Sequence, residues 1–423
     1  MDSDQSSFMD ALRGDEAKLR LWAESGDPHE VLHLILGQIM GAYTGATPGS
    51  SWNSVNHPVE RLVSAARIAR RRAGPEQREI DLAIMKLVRR SGALCAVLGA
   101  GVTVDAGGPS WPVLVRRLLS EGLQNGFERV ETIRPEQLGP SQLMLRTAER
   151  VVGRNRFSTS QLNEAQVILS AIDSGSTDAE TLMRGAELCA AVAGQRLFAD
   201  VSRALYETTN GPGPIHKALA ELAEPQQLLG RSEQRFGWSG LITYNFDDLM
   251  GEALDQRGIP RVAWAMKGGE VKGDPNAVAA KQDRDAPHVN VVHLHGYSPR
   301  RFFYITDIKF VFATSQYDAV YGADQRPILD SIFEQFLANP AQYAVYVGCS
   351  FVDERMNELL RSASAGAPGR DHWALLRWSG PGLYTSATGE AIERESKRYL
   401  SFGVQPVWFD KFAEIPGLLR MLK

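Results

Sequence analysis

Residues 93–123 constrain the fold more than any other stretch of this chain. Ala93–Leu98 (ALCAVL) is an uninterrupted apolar run that closes on Gly99-Ala100-Gly101. Short apolar runs bounded by turn signals have the form of a strand buried on both faces. Ser110 then stands as a helix N-cap, and Trp111-Pro112 and Val113–Leu123 continue as a helix. Proline is acceptable in that first turn because the N–H it lacks would be unpaired anyway. Strand, glycine turn and helix together open a doubly wound α/β domain.

The rest of the chain extends the pattern. Residues 1–85 read as a helical leader, with three- and four-residue apolar spacing in Glu30–Met40 and Val59–Arg72 and a Gly/Ser/Thr/Pro-rich loop at Gly45–Val55. Arg67, Arg70, Arg71 and Arg72 form a basic cluster there, the pattern of a solvated helix face. Residues 140–230 read as a helical insertion, with amphipathic segments at Gln142–Val152, Ser160–Ile172, Ala179–Val192, Gln195–Tyr206 and Ile215–Leu222. Strand patterns return at Gly240–Tyr244, Val289–Leu294, Phe302–Thr306, Tyr343–Val347, Trp373–Leu376 and Val404–Phe409. Helices at about 324–338, 353–364, 387–401 and 412–422 separate several of them. Strands alternating with helices predict a mostly parallel sheet covered on both faces, in a domain running from 86 to 423.

Ligands of such sheets sit beyond the carboxyl ends of the strands, so the residues just after each strand matter most. The first strand is followed by Gly99, Ala100, Gly101, Thr103, Asp105, Pro109 and Trp111. Glycines there let backbone N–H groups approach a phosphate, although glycine-rich strand–helix turns also serve structure alone. The second strand runs into Asn245-Phe246-Asp247-Asp248. Either aspartate can cap the next helix, whereas the Asn245 carboxamide can both donate and accept hydrogen bonds. The third ends in His293-Leu294-His295-Gly296, two histidines on one strand face with no acidic or cysteine partner at ligand spacing. His295, at a strand end before a glycine, is placed for acid–base work. The fourth ends in Gly348-Cys349-Ser350, where Cys349 reads as an apolar structural thiol.

Composition excludes other classes. The 46 Lys+Arg nearly balance the 50 Asp+Glu, so no positive field favours nucleic acid or an anionic membrane. Three scattered cysteines, Cys95, Cys189 and Cys349, cannot make a disulfide framework or a four-cysteine zinc site. No apolar stretch matches a signal peptide or a membrane span, and the expected location is the cytoplasm.

These motifs, in this order, resemble the sirtuin family, and more specifically the sirtuin-like NAD-consuming domains of bacterial antiphage systems. The family's Gly-Ala-Gly-x-Ser and Ala-Gly-x-Pro are matched by Gly99–Gly101, Thr103 in place of serine, Ala106, Gly107 and Pro109. Its Asn-x-Asp is matched by Asn245 and Asp247, its His-Gly by His295 and Gly296, and its Gly-x-Ser by Gly348 and Ser350. The resemblance covers roughly residues 90–410 and implies a Rossmann-like doubly wound sheet. Two departures are informative. The family's deacylases carry a structural zinc on two Cys-x-x-Cys pairs, which three scattered cysteines cannot supply. Deacylases also place Asp-Phe-Arg after the proline, where this chain has Ser110-Trp111-Pro112, a form similar to the defence-associated branch.

The resemblance implies NAD+ as substrate, cleaved to nicotinamide and ADP-ribose. It implies Asn245, His295 and Asp247 as catalytic residues. It assigns Gly99, Ala100, Gly101, Thr103, Asp105, Pro109, Trp111, Gly348 and Ser350 to the bound dinucleotide. It further implies a homo-oligomeric effector gated by a separately encoded partner, a hexameric translocase-type ATPase in preference to an Argonaute-like protein, with nucleic acid acting at most indirectly. With the sirtuin-like domain expected to run almost to Lys423, no C-terminal sensor is expected. The competing readings are a protein deacylase or ADP-ribosyltransferase, and a non-catalytic scaffold for NAD or ADP-ribose.

Overall fold

A computed structural model describes residues 75–128 and 158–423, with breaks at 176–177, 229–233, 268–269, 274–286, 301–310, 314, 317–335, 338, 340–341, 353, 367–371, 381 and 384–388. The expected helices at 30–40, 59–72 and 142–152, the basic cluster, the loop at 45–55, the strand at 302–306 and most of the helix at 324–338 lie outside the described residues.

Helix α1 (Pro75–Arg90) leads into β1 (Leu94–Leu98), which is followed by the short α2 (Ala100–Asp105) and by α3 (Trp111–Glu128). Helices α4 (Thr159–Asp173), α5 (Ala179–Ala193), α6 (Leu197–Tyr206) and α7 (Pro214–Ala223) come next. A small antiparallel ribbon, β2 (Pro225–Gln227) with β3 (Gln234–Phe236), precedes β4 (Leu241–Thr243) and α8 (Leu249–Gln256). The chain continues through β5 (Arg261–Lys267), β6 (Glu270–Gly273), β7 (Val289–His293), β8 (Tyr343–Val347), α9 (Glu354–Gly366), β9 (His372–Arg377), α10 (Gly389–Leu400), β10 (Val404–Phe409) and α11 (Ile415–Arg420).

The main sheet has the order β10-β9-β8-β1-β4-β7-β5-β6. Every neighbouring pair is parallel except β5 with β6, so seven parallel strands carry one antiparallel edge. This is the expected Rossmann-like α/β architecture. Strand β5 is a finding of the structure: Arg261–Lys267 (RVAWAMK) mixes charge with apolar residues and gives no clean signal for a buried strand.

The sheet is buried on both faces, and β1 shows how. Leu94, Ala96 and Leu98 join the core beneath α1, α7, α8 and α11. Cys95 and Val97 join the opposite core beneath α9 and α10. Each fully buried leucine or valine contributes about 1.5–3 kcal/mol, which is why an unbroken apolar run specifies this position. The thiols of Cys95 and Cys189 are buried, and desolvation holds both well above the ordinary cysteine range, as expected of inert core groups. A third core joins α3, α4, α5 and α6, the helical module, to Phe246 and Phe312.

Buried Arg89 ties three helix ends together. Its Nη1 donates to the Leu222 carbonyl at the end of α7, and its Nε to the Leu422 carbonyl just past α11, each at 2.9 Å. A cation near helix C-termini meets carbonyls that have no partner within the helix.

Candidate active site

The carboxyl ends of β8, β1, β4 and β7 lie side by side. The chain leaves β1 toward β4 on one side while β8 flanks it on the other, the arrangement that opens a crevice in doubly wound sheets. A cavity of about 630 Å³ lies there, within the usual range of about 300–1,000 Å³ for small-molecule sites.

Of the residues singled out from sequence, Gly99, Ala100, Thr103, Pro109, Trp111, Asn245, Asp247, His295 and Ser350 line this cavity. Gly101, Gly348 and Asp105 do not. The first two press the turn after β1 against the turn after β8. Gly99 N–H donates to the Val347 carbonyl (3.0 Å) and Gly101 N–H to the Gly348 carbonyl (2.9 Å). A Cβ on Gly101 would come within 2.9 Å of Gly348 Cα, and one on Gly348 within 2.7 Å of Val102 N. Asp105 faces away, where its Oδ2 accepts the Ile215 N–H (2.8 Å) in the first turn of α7.

Gly348 also has φ +70°, a backbone conformation that favours glycine. Gly348→Ala is therefore expected to cost about 1–3 kcal/mol by strain alone, with the clash in addition. Gly240→Ala, where an added Cβ would meet nothing within 4 Å, serves as the control. Denaturant midpoints compare the two, and equal stabilities would refute the close-approach role. Phe351, two residues after Cys349, is a non-glycine with φ 56°. It is retained by burial of its ring against Tyr346 and Tyr399 and by Asn357 Nδ2, which donates to its carbonyl at 3.0 Å.

Asn245 is fixed on several sides. Its backbone N–H donates to Thr243 Oγ1 (3.0 Å), and its Nδ2 donates to the Gly99 carbonyl (2.9 Å). Because a carbonyl can only accept, that bond assigns the carboxamide orientation, and Oδ1 is left as the acceptor. Asp247 is buried, with Oδ2 accepting from Thr103 Oγ1 (2.5 Å) and Oδ1 from the Leu249 N–H (3.1 Å). Burial pushes its carboxyl above the ordinary range, while the Thr103 hydroxyl pulls it part of the way back. His295 is half-buried, its ring edge-on to Tyr244 with centroids 4.9 Å apart. Its carbonyl accepts the Val311 N–H at 2.9 Å.

The second wall of the cavity comes from the helical module. Ala179, Glu180, Leu182 and Met183 of α5, Leu205 of α6 and Leu114 of α3 line it, with Phe246 and Phe312. Trp111 packs on Phe312 with centroids 4.7 Å apart. A polar network docks the module on the sheet. Tyr206 OH, at the end of α6, donates to the Ser298 carbonyl (2.5 Å) and accepts the Asp248 N–H (2.7 Å), and Arg300 Nη2 donates to Thr209 Oγ1 (2.7 Å). Sequence reading missed this wall because nothing in an amphipathic helix states which distant strand end it will cover. Tyr244 and Phe246, by contrast, flank Asn245 directly and were within reach of the motif.

Residues 239–400 match the model of the SIR2-like domain. The segment is sirtuin-like. Its matched span includes Asn245, Asp247, His295, Gly348 and Ser350, and the strand–turn unit at 94–109 precedes it. The match points to NAD-related activity in general terms. No curated protein matches the chain. Among the described residues, no group of three or more His, Cys, Asp or Glu side chains is placed to hold a metal ion, and no helix is long and apolar enough to cross a membrane.

The turn after β1 offers an anion little backbone. Of the first three α2 amides, Gly101 N–H bonds to Gly348 and Val102 N–H to Gly99. Ala100 N–H, which has no partner within the helix, stands beside the cavity.

Proposed function

We propose that the sirtuin-like domain is an NAD+ glycohydrolase that transfers the ADP-ribosyl group of NAD+ to water. The observation that carries this reading is the meeting of Asn245, Asp247 and His295 in one cavity at the carboxyl ends of β4 and β7.

The nicotinamide ring of NAD+ is already a cationic leaving group, so bond cleavage needs no general acid. The ribose C1′–N bond breaks, and its electron pair neutralises the ring nitrogen. Water oxygen forms the new bond to C1′. The demands on the protein are to place that water, take up its proton and stabilise an oxocarbenium-like ribose. Asn245 Oδ1 is the acceptor that orients water or a ribose hydroxyl, and the His295 imidazole takes the proton, as general bases near neutral pH do. Asp247, held by Thr103, contributes negative charge next to the developing cation. Ala100 N–H and the Ser350 hydroxyl meet the phosphates or the adenosine ribose, with Gly99, Pro109 and Trp111 forming the adjoining surface.

By its resemblance to defence-associated domains, the protein is further proposed to act as the homo-oligomeric effector of an antiphage system, held inactive until a partner protein releases it. Ungated NAD+ hydrolysis would be toxic to its host.

Incubation of the purified chain with NAD+ is expected to yield nicotinamide and ADP-ribose in equal amounts by chromatography, with or without an acylated peptide. Consumption of NAD+ only with acyl-peptide would replace this reading with deacylation. Saturable NAD+ binding without turnover under every activating condition would replace it with a scaffold.

A further inference from the structure

We propose that His293, the other histidine of the His293-Leu294-His295-Gly296 run, is a positioning residue that holds Asn245 through a neutral imidazole donating from Nδ1 to the Asn245 backbone carbonyl. The proposal deepens the reading of Asn245 given above and rests on it.

The parallel register of β4 and β7 sets Thr243 opposite His293, which brings the His293 ring under the turn that carries Asn245. Nδ1 lies 3.2 Å from the Asn245 carbonyl oxygen. Since a carbonyl can only accept, the proton must be on Nδ1. Nε2 has no hydrogen-bond partner among the described residues, and the ring packs on Tyr297 with centroids 4.4 Å apart.

The side chain is 1% exposed, and burial, with Arg261 adding to it, lowers its pKa to about 3. The imidazole therefore stays neutral through the physiological range, and of its two tautomers only the Nδ1–H form fits the contact. Among the described residues, the groups around it are the Asn245 carbonyl, the Tyr297 ring and the Arg261 cation, with no carboxylate partner of its own.

The clamp completes a frame. Thr243 Oγ1 accepts the Asn245 N–H, His293 Nδ1–H donates to the Asn245 carbonyl, and the Gly99 carbonyl accepts the Asn245 side-chain amide. Three neighbouring strands thus define one carboxamide, leaving Oδ1 aimed by the frame rather than by a rotamer preference. His293 lies outside the cavity and acts only through Asn245.

Two substitutions separate this role from packing. Asn at 293 carries an amide nitrogen two bonds from Cβ, in the position of Nδ1, whereas Leu keeps bulk and loses the donor. His293→Leu is expected to lower kcat for NAD+ cleavage about 10- to 100-fold with KM within about threefold, the scale of a misplaced reacting group. His293→Asn is expected to restore most of that rate. Equal losses in the two variants, or losses that appear in KM alone, would overturn the proposal.

A readout on the wild-type full chain keeps the test independent of folding of the variants. Long-range ¹H–¹⁵N spectra with labelled histidine should show His293 protonated only at Nδ1, without titration between pH 5 and 8. A proton on Nε2, or titration in that range, would overturn the proposal. Wild-type protein that leaves NAD+ intact would instead refute the glycohydrolase reading, and the tautomer measurement would then decide the clamp alone.

Discussion

His295→Ala is expected to lower kcat for NAD+ cleavage by about 10²- to 10⁴-fold, the range spanned by a positioned general base. Asn245→Ala is expected to cost a similar factor, because it removes the acceptor that places the water. Both side chains line the cavity. His295 is half-buried, with its ring edge-on to Tyr244, and Asn245 bonds outward to the Gly99 carbonyl. Residues that act as one unit are non-additive, so the double variant should be little slower than the worse single variant. Calorimetric titration with NAD+ is expected to give affinities within a few-fold of wild type, confirming that the loss lies in kcat. Retained cleavage in either alanine variant would remove that residue from the mechanism.

Two buried imidazoles are expected to work against stability as pH falls. Burial lowers His216 and His293 from the ordinary 6.5 to about 3. Below pH 6.5 the unfolded chain takes up protons that the folded chain refuses, so stability falls as pH drops from 6.5 toward 3. Each histidine removes up to about 1.4 kcal/mol per pH unit across that window. Asp248 acts in the opposite direction. Burial raises it to about 7 despite the adjacent Arg261, so the folded chain holds that proton more tightly and gains stability as pH falls from about 7 toward 4. Asp247 and Asp105, whose carboxyls burial also raises, act in the same direction as Asp248, so the carboxyls together offset the histidine slopes.

His216→Gln isolates the contribution of one histidine. His216 is buried at the start of α7, where Nδ1 accepts the Gly213 N–H at 3.3 Å. Urea midpoints at several pH values should show the variant losing about 1.4 kcal/mol per pH unit less than wild type between pH 6 and 4. The slope, not the stability at pH 7, is the readout, so a packing defect does not obscure it. Parallel slopes would show that His216 protonates in place.

Much of the site was legible along the chain. Asn245, Asp247 and His295 each stand one or a few residues past an apolar strand, and a parallel sheet must bring such positions to one edge. Strands at 343–347 and 404–409 could be read to the residue because every position in both is buried and all but Gln405 are apolar or aromatic. Strand β5 could not, since Arg261 is buried there only by pairing with Asp248 and Asp255, partners the local pattern does not reveal. The glycines after β1 were read chiefly as a phosphate turn. In the fold, Gly99 gives its amide to the last residue of β8 and Gly101 to the turn after it, because two strand ends must approach more closely than a Cβ permits.

The same distinction applies to the whole molecule. Local apolar runs, caps and turn residues determined the α/β class and the small set of strand-end positions where chemistry can occur, because burial on two faces acts on each strand separately. Tertiary structure decided which groups serve which purpose. It turned Asp105 to the start of α7, brought Thr103 to Asp247, and made a cavity wall of helices more than fifty residues from Asn245 in places. It also divided a pair of histidines two residues apart, leaving His295 at the cavity and burying His293 against the Asn245 carbonyl. Spacing along a strand sets the face on which a side chain emerges; only the neighbouring strand determines what it meets there.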